Sequence, residues 1–239
     1  MGKSKSKATS GNETSDSGKL EEGLKQLEAA ASFHSNPDLL PKMGKYISEL
    51  ILFNSAYNLT NTSDFDEISV NHILDSLSAA AILKNYADTL QQDFSEKITI
   101  ADIGSGGGLP GIPLAATLPE HNFTLVERMD KRCAFLENEA AILGLKNVTV
   151  LKKEAEKVPA ESFHLVTFRA FRPLDKAMIK TLLSLTKTGG IIAAYKAKIQ
   201  SIKEEMEGIK DIVPEYSVLP LEVPFLSGHE RNLVIIKKN

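Results

Sequence analysis

The sequence has no tryptophan and only one cysteine, Cys133, among its 239 residues. A single cysteine cannot form an intramolecular disulfide or a cysteine-rich metal site, and the five histidines include no His-x-x-x-His pair. No run reaches the roughly 20 apolar residues that cross a bilayer, and the amino-terminal segment lacks the apolar core of a signal peptide. We therefore expect a cytoplasmic chain that binds neither a metal ion nor a membrane.

A basic surplus is also lacking, because 31 acidic residues outnumber 28 basic ones and give a net charge of −3. Proteins that bind nucleic acid over much of their surface usually carry excess positive charge. Arginine is nevertheless concentrated, since four of the five arginines lie between residues 128 and 172. Arginine binds phosphate and guanine edges through paired hydrogen bonds, so this stretch is a candidate for a local nucleic-acid site.

Composition and periodicity divide the chain into three segments. Residues 1–18 have almost no large apolar side chain and are expected to form a disordered tail. In residues 19–90 apolar side chains recur at helical spacing, which predicts an amino-terminal helical subdomain. Residues 91–239 form the third segment. The whole chain has a length that fits one catalytic unit, and we expect the protein to be a monomer. The clearest helical stripe, expected in the core, consists of Tyr46, Leu50 and Phe53.

The third segment alternates short β-branched runs with helical patterns, which indicates an α/β fold with a doubly wound, mostly parallel sheet. The last two strands are joined by a loop too short for a crossover helix, so they should pair antiparallel at one edge. This arrangement is the methyltransferase variant of the Rossmann architecture. The seven predicted strands are Ile98 to Ile103, Phe123 to Glu127, Val148 to Leu151, Leu165 to Phe168, Ile191 to Tyr195, Ser217 to Leu221 and Leu233 to Ile236.

The helix after the second strand is marked at both ends. Asp130 is placed to cap its amino terminus, and Gly144 is placed to end it. Its apolar stripe puts Cys133 in the core rather than in a reactive position. The stripe consists of Cys133, Leu136, Ala140 and Leu143.

A glycine-rich turn, Asp102-Ile103-Gly104-Ser105-Gly106-Gly107-Gly108, follows the first strand. Glycine permits the tight turn and lets a ligand approach the backbone closely, as expected at Gly104 and Gly106. A helix should begin near Pro110. Such a turn binds either a dinucleotide or S-adenosylmethionine, and the shifted frame Gly106-x-Gly108-x-x-Gly111 also satisfies the dinucleotide pattern. The glycines alone leave both cofactors open.

Three acidic positions at the ends of strands one to three favour S-adenosylmethionine. Asp102 would repel a pyrophosphate but attract the ammonium and sulfonium charges of the methyl donor. Glu127 is placed to accept both ribose hydroxyls. Ala155 and Glu156 are placed to meet the adenine edge. We therefore predict an S-adenosylmethionine-dependent methyltransferase, with a nicotinamide-dependent oxidoreductase as the alternative.

The residues at the end of the fourth strand narrow the range of methyl acceptors. They read Thr167-Phe168-Arg169-Ala170-Phe171-Arg172-Pro173 and contain no Asn/Asp-Pro-Pro-aromatic motif for an exocyclic amine. Methylation of a pyrimidine carbon needs a cysteine nucleophile, and Cys133 is predicted to be buried elsewhere. An acceptor that is already nucleophilic remains, such as guanine N7, and it requires no general base. Small molecules and protein amines fit the same observations.

Basic residues after the strand ends favour RNA among these acceptors, because ligands of an open α/β sheet bind there. Phe171 and Tyr195 are placed to stack on a splayed base. A methyltransferase for small molecules and a non-catalytic RNA-binding protein that senses the methyl donor remain alternatives. The basic residues expected along the rim of the cleft are Arg128, Lys131, Arg132, Arg169, Arg172, Lys196 and Lys198.

The glycine turn continues into a longer motif, Gly-Leu-Pro-Gly-Ile-Pro-Leu-Ala at residues 108–115. Together with motifs between residues 45 and 236, it resembles the bacterial glucose-inhibited division protein B family. These further motifs are Tyr57-Asn58-Leu59-Thr60, His72-Ile73-Leu74-Asp75-Ser76-Leu77, Lys131-Arg132 with Phe135-Leu136, Arg169-Ala170-Phe171 and Glu230-Arg231-Asn232-Leu233.

The resemblance implies an enzyme that methylates N7 of guanine 527 in the 16S rRNA of the small ribosomal subunit. It also implies that Lys131 and Arg132 face the RNA. His72 and Asp75 are expected to hydrogen-bond the helical subdomain to the sheet, since attack by N7 needs no base. The residues that the resemblance places against S-adenosylmethionine are Gly104, Leu109, Ala155, Glu156 and Arg169.

Overall fold

The structure, a computed structural model, describes residues 18–31, 36–94, 96–170 and 172–239. The predicted disordered tail lies outside these ranges except for Gly18, which begins the first helix. Phe171, a candidate for base stacking, also lies outside the described residues.

The amino-terminal segment is helical, as predicted. Its helices pack on the sheet through a shared apolar cluster that includes Tyr46, Leu74, Ile100 and Leu125. The last helix ends at Asp93, so the domain boundary at residue 90 stays a prediction. The elements are α1 (Gly18–Ala31), α2 (Leu39–Tyr57), α3 (Phe65–Ile68), a π-helical turn (Ser69–Leu74), α4 (Asp75–Leu77) and α5 (Ala80–Asp93).

Within the described residues, seven strands form one sheet in the order β3-β2-β1-β4-β5-β7-β6. The neighbours from β3 to β5 run parallel, and β7 runs antiparallel to both β5 and β6. The predicted fold class and the antiparallel pair at one edge are therefore confirmed. The strands are β1 (Thr99–Ile103), β2 (Asn122–Glu127), β3 (Val148–Lys152), β4 (Phe163–Arg169), β5 (Thr186–Lys196), β6 (Ser217–Pro220) and β7 (Asn232–Lys237).

Strand β5 begins five residues earlier than predicted, at Thr186. The extra stretch is polar and contains two adjacent glycines, so it lacks the β-branched pattern on which the prediction relied. Pairing of Phe163 with Thr186 extends the strand, and a register shift separates this pair from the rest of the ladder.

The helices that connect the strands lie on both faces of the sheet, and the face away from the amino-terminal helices has its own cluster around Phe168, Met178 and Ile202. None of the helices in the described ranges is long and apolar enough to span a membrane. The connecting elements are α6 (Gly111–Thr117), α7 (Asp130–Ile142), a 3₁₀ turn (Ala155–Lys157), α8 (Lys176–Leu185) and α9 (Ile199–Gly208).

The helix after β2 differs from the prediction at its amino end. Met129, whose backbone is extended, occupies the capping position and makes no side-chain cap bond. Asp130 is already helical, so the prediction that it caps α7 is wrong; its carboxylate contacts Lys152 at 2.8 Å instead. Burial of Cys133, which is 4% exposed, confirms its predicted place in the core.

Helix α6 approaches the sheet closely at Gly111. A β-carbon at this position would lie 2.3 Å from a methyl group of Leu125 and 2.7 Å from Oδ2 of Asp102. The contact leaves no space for a side chain, which explains the glycine nine residues after Asp102.

We expect Gly111→Ala to lower the free energy of unfolding by about 1–3 kcal/mol, because the added methyl group overpacks a rigid contact. Urea denaturation measures the change. Gly44→Ala, inside α2, is the matched control: an added β-carbon there meets no atom within 4 Å. This variant should stabilise the protein by up to about 1 kcal/mol. Equal effects of both substitutions would contradict the packing argument.

Candidate active site

Backbone conformation explains the glycines of the turn after β1. Gly104, Gly106 and Gly108 have φ angles of 70°, 58° and 93°, in the left-handed region that favours glycine. A β-carbon at Gly108 would also lie 2.6 Å from Ile112 Cγ1. The amide of Gly104 donates to the carbonyl of Val126 at 2.8 Å, which fixes the turn against β2. The result is a rigid loop whose backbone is open to a ligand.

Asp102 supports this turn from inside the protein. It is 1% exposed, and its Oδ2 accepts a hydrogen bond from the Gly111 amide at 3.0 Å. Burial raises the pKa of the Asp102 carboxyl to about 7. Asp102 does not line either of the two clefts described below. Its expected direct contact with the methyl donor therefore stays a prediction, and its observed role is to hold α6 against β1.

Glu127 holds the other side of the turn. Its Oε2 accepts from the amide of Gly106 at 3.0 Å, and its Oε1 accepts from the amides of Arg128 and Met129 at 2.8 and 2.9 Å. A carboxylate has about four acceptor sites, so these three bonds leave roughly one for a ligand. The carboxylate is fixed at the end of β2 before any ligand binds.

Two clefts meet at the glycine turn. The larger has a volume of about 540 Å³ and the smaller about 280 Å³, and both are lined by Gly104, Arg132, Ala170 and Arg172. Of the predicted donor-binding residues, Glu127 and Ala155 line the smaller cleft, while Gly106, Leu109 and Arg169 line the larger. Glu156 lines neither of the two; it is exposed and pairs with Arg172 at 2.7 Å.

A buried ion-pair network closes the side of the larger cleft. Arg169, at the end of β4, donates to Asp75 Oδ2 at 2.7 Å, and Arg231 donates to Asp75 Oδ1 at 3.1 Å. Arg169 also lies 3.2 Å from Nδ1 of His72. Burial, helped by the Arg169 charge, lowers the pKa of His72 to about 4, so the imidazole is neutral at pH 7. The predicted tie between the helical segment and the sheet is confirmed.

The predicted RNA-binding residues lie in different settings. Arg132 and Arg172 line both clefts, and Arg132 also donates to the carbonyl of Asn58 at 3.1 Å. Lys131 and Lys198 are exposed and line neither of these clefts. The structure therefore brings the arginines together at the turn and leaves these lysines outside it.

Two residues predicted to face RNA already have partners within the protein. The Lys196 side chain is 14% exposed, pairs with Glu205 and lies over the Phe168 ring. Tyr195 is 5% exposed, and its hydroxyl donates to the Ser76 carbonyl at 2.7 Å. Both residues nevertheless line the larger cleft, so RNA contact by Lys196 and base stacking on Tyr195 stay predictions.

Residues of the helical segment that were not predicted to belong to the site also shape it. Tyr46 was predicted only as core, yet its hydroxyl donates to the Gly107 carbonyl. Asn54 accepts from the amides of Leu59 and Thr60, both at 2.9 Å, and so fixes the loop that borders the larger cleft. The available signal was a tyrosine within an apolar stripe, since a buried hydroxyl requires a partner.

We expect Asp75→Asn to lower the free energy of unfolding by about 2–4 kcal/mol, because two largely buried guanidinium groups lose their counter-charge. Urea denaturation at pH 7 measures the loss. Asp88→Asn is the control, since Asp88 pairs with Lys84 at 2.6 Å on the exposed surface. Its effect should stay below about 0.5 kcal/mol. A loss at Asp75 no larger than at Asp88 would show that the network contributes little.

The raised pKa of Asp102 predicts a pH-dependent stability. The folded state binds this proton more tightly than the unfolded state, so the contribution of Asp102 is fully present below about pH 4 and is lost as pH rises towards 7. We expect the wild type to lose stability relative to Asp102→Asn over this range. Urea titrations of both proteins at pH 4.5, 6 and 8 test it, and a constant difference would refute the shifted pKa.

Comparison with known proteins identifies the family. Residues 39–234 match the family described as rRNA small subunit methyltransferase G. A ribosomal RNA small subunit methyltransferase G from Treponema denticola is 40% identical over 242 residues, covering 92% of this chain and 94% of the relative. The Klebsiella pneumoniae protein of the same name is 39% identical over 193 residues, covering 80% and 86%.

A solved structure supports the fold alone. The tRNA (m1A58) methyltransferase of Aquifex aeolicus is 14% identical, with a TM-score of 0.53 over 70% of this chain and 68% of that one. Family membership excludes the nicotinamide-dependent oxidoreductase that the glycines left open. The chain belongs to the rRNA small subunit methyltransferase G family and is an S-adenosylmethionine-dependent rRNA methyltransferase.

Proposed function

We propose that this enzyme methylates N7 of guanine 527 in 16S rRNA, within the small ribosomal subunit or a precursor of it. The main support for N7 as the methyl acceptor is that the larger cleft offers no available base among the described residues that line it. Among the described residues that line it, Asp75 is the acidic one, and it is bound by Arg169 and Arg231. Arg169 can only donate to Nδ1 of the neutral His72, so the ring carries its proton on Nε2, which has no partner among the described residues and cannot act as a base. An acceptor that must first lose a proton would have no partner here, whereas N7 has a free lone pair.

The glycine turn and the smaller cleft fit the methyl donor. Side chains are absent at Gly104 and Gly106, so a ligand can reach the backbone, and the Glu127 carboxylate stands at the end of β2 where a ribose would lie. We propose that Leu109, Ala155, Glu156 and Arg169 complete this site. Asp102 supports the turn through the Gly111 amide, and its carboxylate is proposed to attract the donor's positive charge when it is ionised. When bound, S-adenosylmethionine supplies an electrophilic methyl group on a positively charged sulfur.

The larger cleft would orient the guanine. In the transfer, the N7 lone pair forms the new bond to the methyl carbon while the carbon–sulfur bond breaks towards sulfur. The guanine gains the positive charge that the sulfonium loses, and no proton moves. The chain therefore contributes proximity and alignment, with no residue acting as acid or base.

Contacts to the RNA are proposed for Lys131, Arg132, Arg172 and Lys198. The two arginines lie at the junction of the clefts, where a flipped nucleotide would enter. Lys196, which lines the larger cleft and pairs with Glu205, is proposed to make a further contact. We further propose that the protein is a cytoplasmic monomer.

A methyltransferase for small molecules is the second candidate, since a 540 Å³ cleft is within the usual range for such ligands.

Transfer of a tritiated methyl group tests the proposal directly. The acceptors are naked 16S rRNA, purified small subunits and a pool of small metabolites, followed by mapping of the labelled nucleotide. We expect label at N7 of guanine 527, and an RNA with adenine at that position should accept none. Label found only in small molecules would favour the second candidate.

Glu127→Ala should weaken binding of S-adenosylhomocysteine about tenfold or more, through loss of a fixed carboxylate.

A further inference from the structure

A separate cavity of about 290 Å³ lies at the opposite end of the sheet from the glycine turn. Its walls come from segments that precede strands: Lys97 comes before β1, Asn122 begins β2, and Lys146 and Asn147 come before β3. Strand β1 has five residues at about 3.3 Å each, so the cavity lies roughly 16 Å or more from the methyl-transfer site. Nothing in the proposed chemistry uses it.

The cavity is positively charged. The ionisable residues among those that line it are three lysines, Lys42, Lys97 and Lys146. Across the ranges that the structure describes, no carboxylate comes within 4.0 Å of these ammonium groups. The nearby Glu120 is instead directed to Lys84. Three lysines without an ion-pair partner within 4.0 Å among the described residues therefore line one cavity of a chain whose net charge is −3.

The wall of the cavity is arranged so that it does not repel an anion. The last carbonyls of α6 and the turn after it would present partial negative charge. The side-chain amide of Asn147 covers them by donating to Ala115, Leu118 and His121 at 3.0, 3.3 and 3.1 Å. The side chain of Asn122 is exposed at the rim and offers a further amide donor.

We propose that this lysine cavity binds a phosphate group of the RNA substrate, at a distance from the methylated base. The proposal rests on the proposed function. Lysine is a point-charge donor without the fork that reads base edges, which fits a phosphodiester contact independent of sequence. Lys97 and Lys146 are exposed and would hold free phosphate weakly. A phosphate on an RNA already held at the clefts arrives at high effective concentration.

A triple variant tests the site: Lys42→Gln, Lys97→Gln and Lys146→Gln in one protein. Its matched control is Lys180→Gln, Lys203→Gln and Lys210→Gln, which removes the same charge from exposed positions on α8, α9 and the turn that follows α9. Fluorescence anisotropy measures affinity for a small-subunit rRNA fragment across a range of salt concentrations. The cavity variant should bind about tenfold more weakly, with a salt slope smaller by about one to two phosphate contacts.

The kinetics of methyl transfer distinguish a defect in RNA binding from a defect in the chemical step. KM for RNA should rise about tenfold in the cavity variant while kcat and the affinity for S-adenosylhomocysteine stay unchanged, because the lysines lie far from the reacting atoms. The control variant should match the wild type within about twofold. Equal weakening by the two triple variants would show a general charge effect and overturn the proposal.

Thermal unfolding with inorganic phosphate distinguishes a site for free phosphate from a site for a phosphate group of the RNA. If phosphate raises the Tm of the wild type but not of the cavity variant, while both bind RNA equally, the cavity holds a free anion and the RNA contact is refuted. If neither RNA nor phosphate distinguishes the two proteins, the cavity is not an anion site. Failure of the wild type to methylate 16S rRNA would count against the proposed function, and the anisotropy comparison would still decide the cavity.

Discussion

The site depends on one buried carboxylate that joins separate parts of the chain. Asp75 comes from the helical segment, Arg169 from the end of β4 and Arg231 from the loop before β7. A guanidinium that is mostly removed from water is costly without a counter-charge, so docking of the helical segment stabilises Arg169 and, to a smaller extent, the more exposed Arg231. The same interaction therefore completes the wall of the larger cleft and links folding of the amino-terminal helices to formation of the site.

The glycine turn is held from three sides before any ligand arrives. Glu127 binds the amide of Gly106, Asp102 binds the amide of Gly111, and Tyr46 donates to the carbonyl of Gly107. Each of these side chains is largely buried, so the turn cannot relax without breaking packed contacts. Methyl transfer needs alignment rather than proton transfer, and a turn that is already rigid loses little entropy on binding.

Sequence patterns predicted most of this fold because strand runs and glycines act locally. All seven strands were predicted, and the motifs after β1, β2 and β4 contain residues that line the two clefts. Two element boundaries were predicted wrongly. Strand β5 extends through polar residues because Phe163 of β4 pairs with Thr186. Helix α7 begins at Asp130, so Met129 and not Asp130 occupies the capping position. The partners of Lys196 and Tyr195, which are Glu205 and the Ser76 carbonyl, could not be predicted from the sequence, since each lies on another element.

The antiparallel direction of β7 has a structural consequence for how such an enzyme can change its substrate. Because β7 runs opposite to β5, its first residue, Asn232, pairs with Lys196 at the carboxyl end of β5. The loop before β7 therefore opens onto the same edge as the loops after the parallel strands, and Arg231 reaches the larger cleft from it. Apart from Arg169 at the end of β4, the residues proposed to bind the donor follow β1 to β3, on the other half of the sheet. Insertions before β7 could reshape the acceptor side while the donor side keeps its structure.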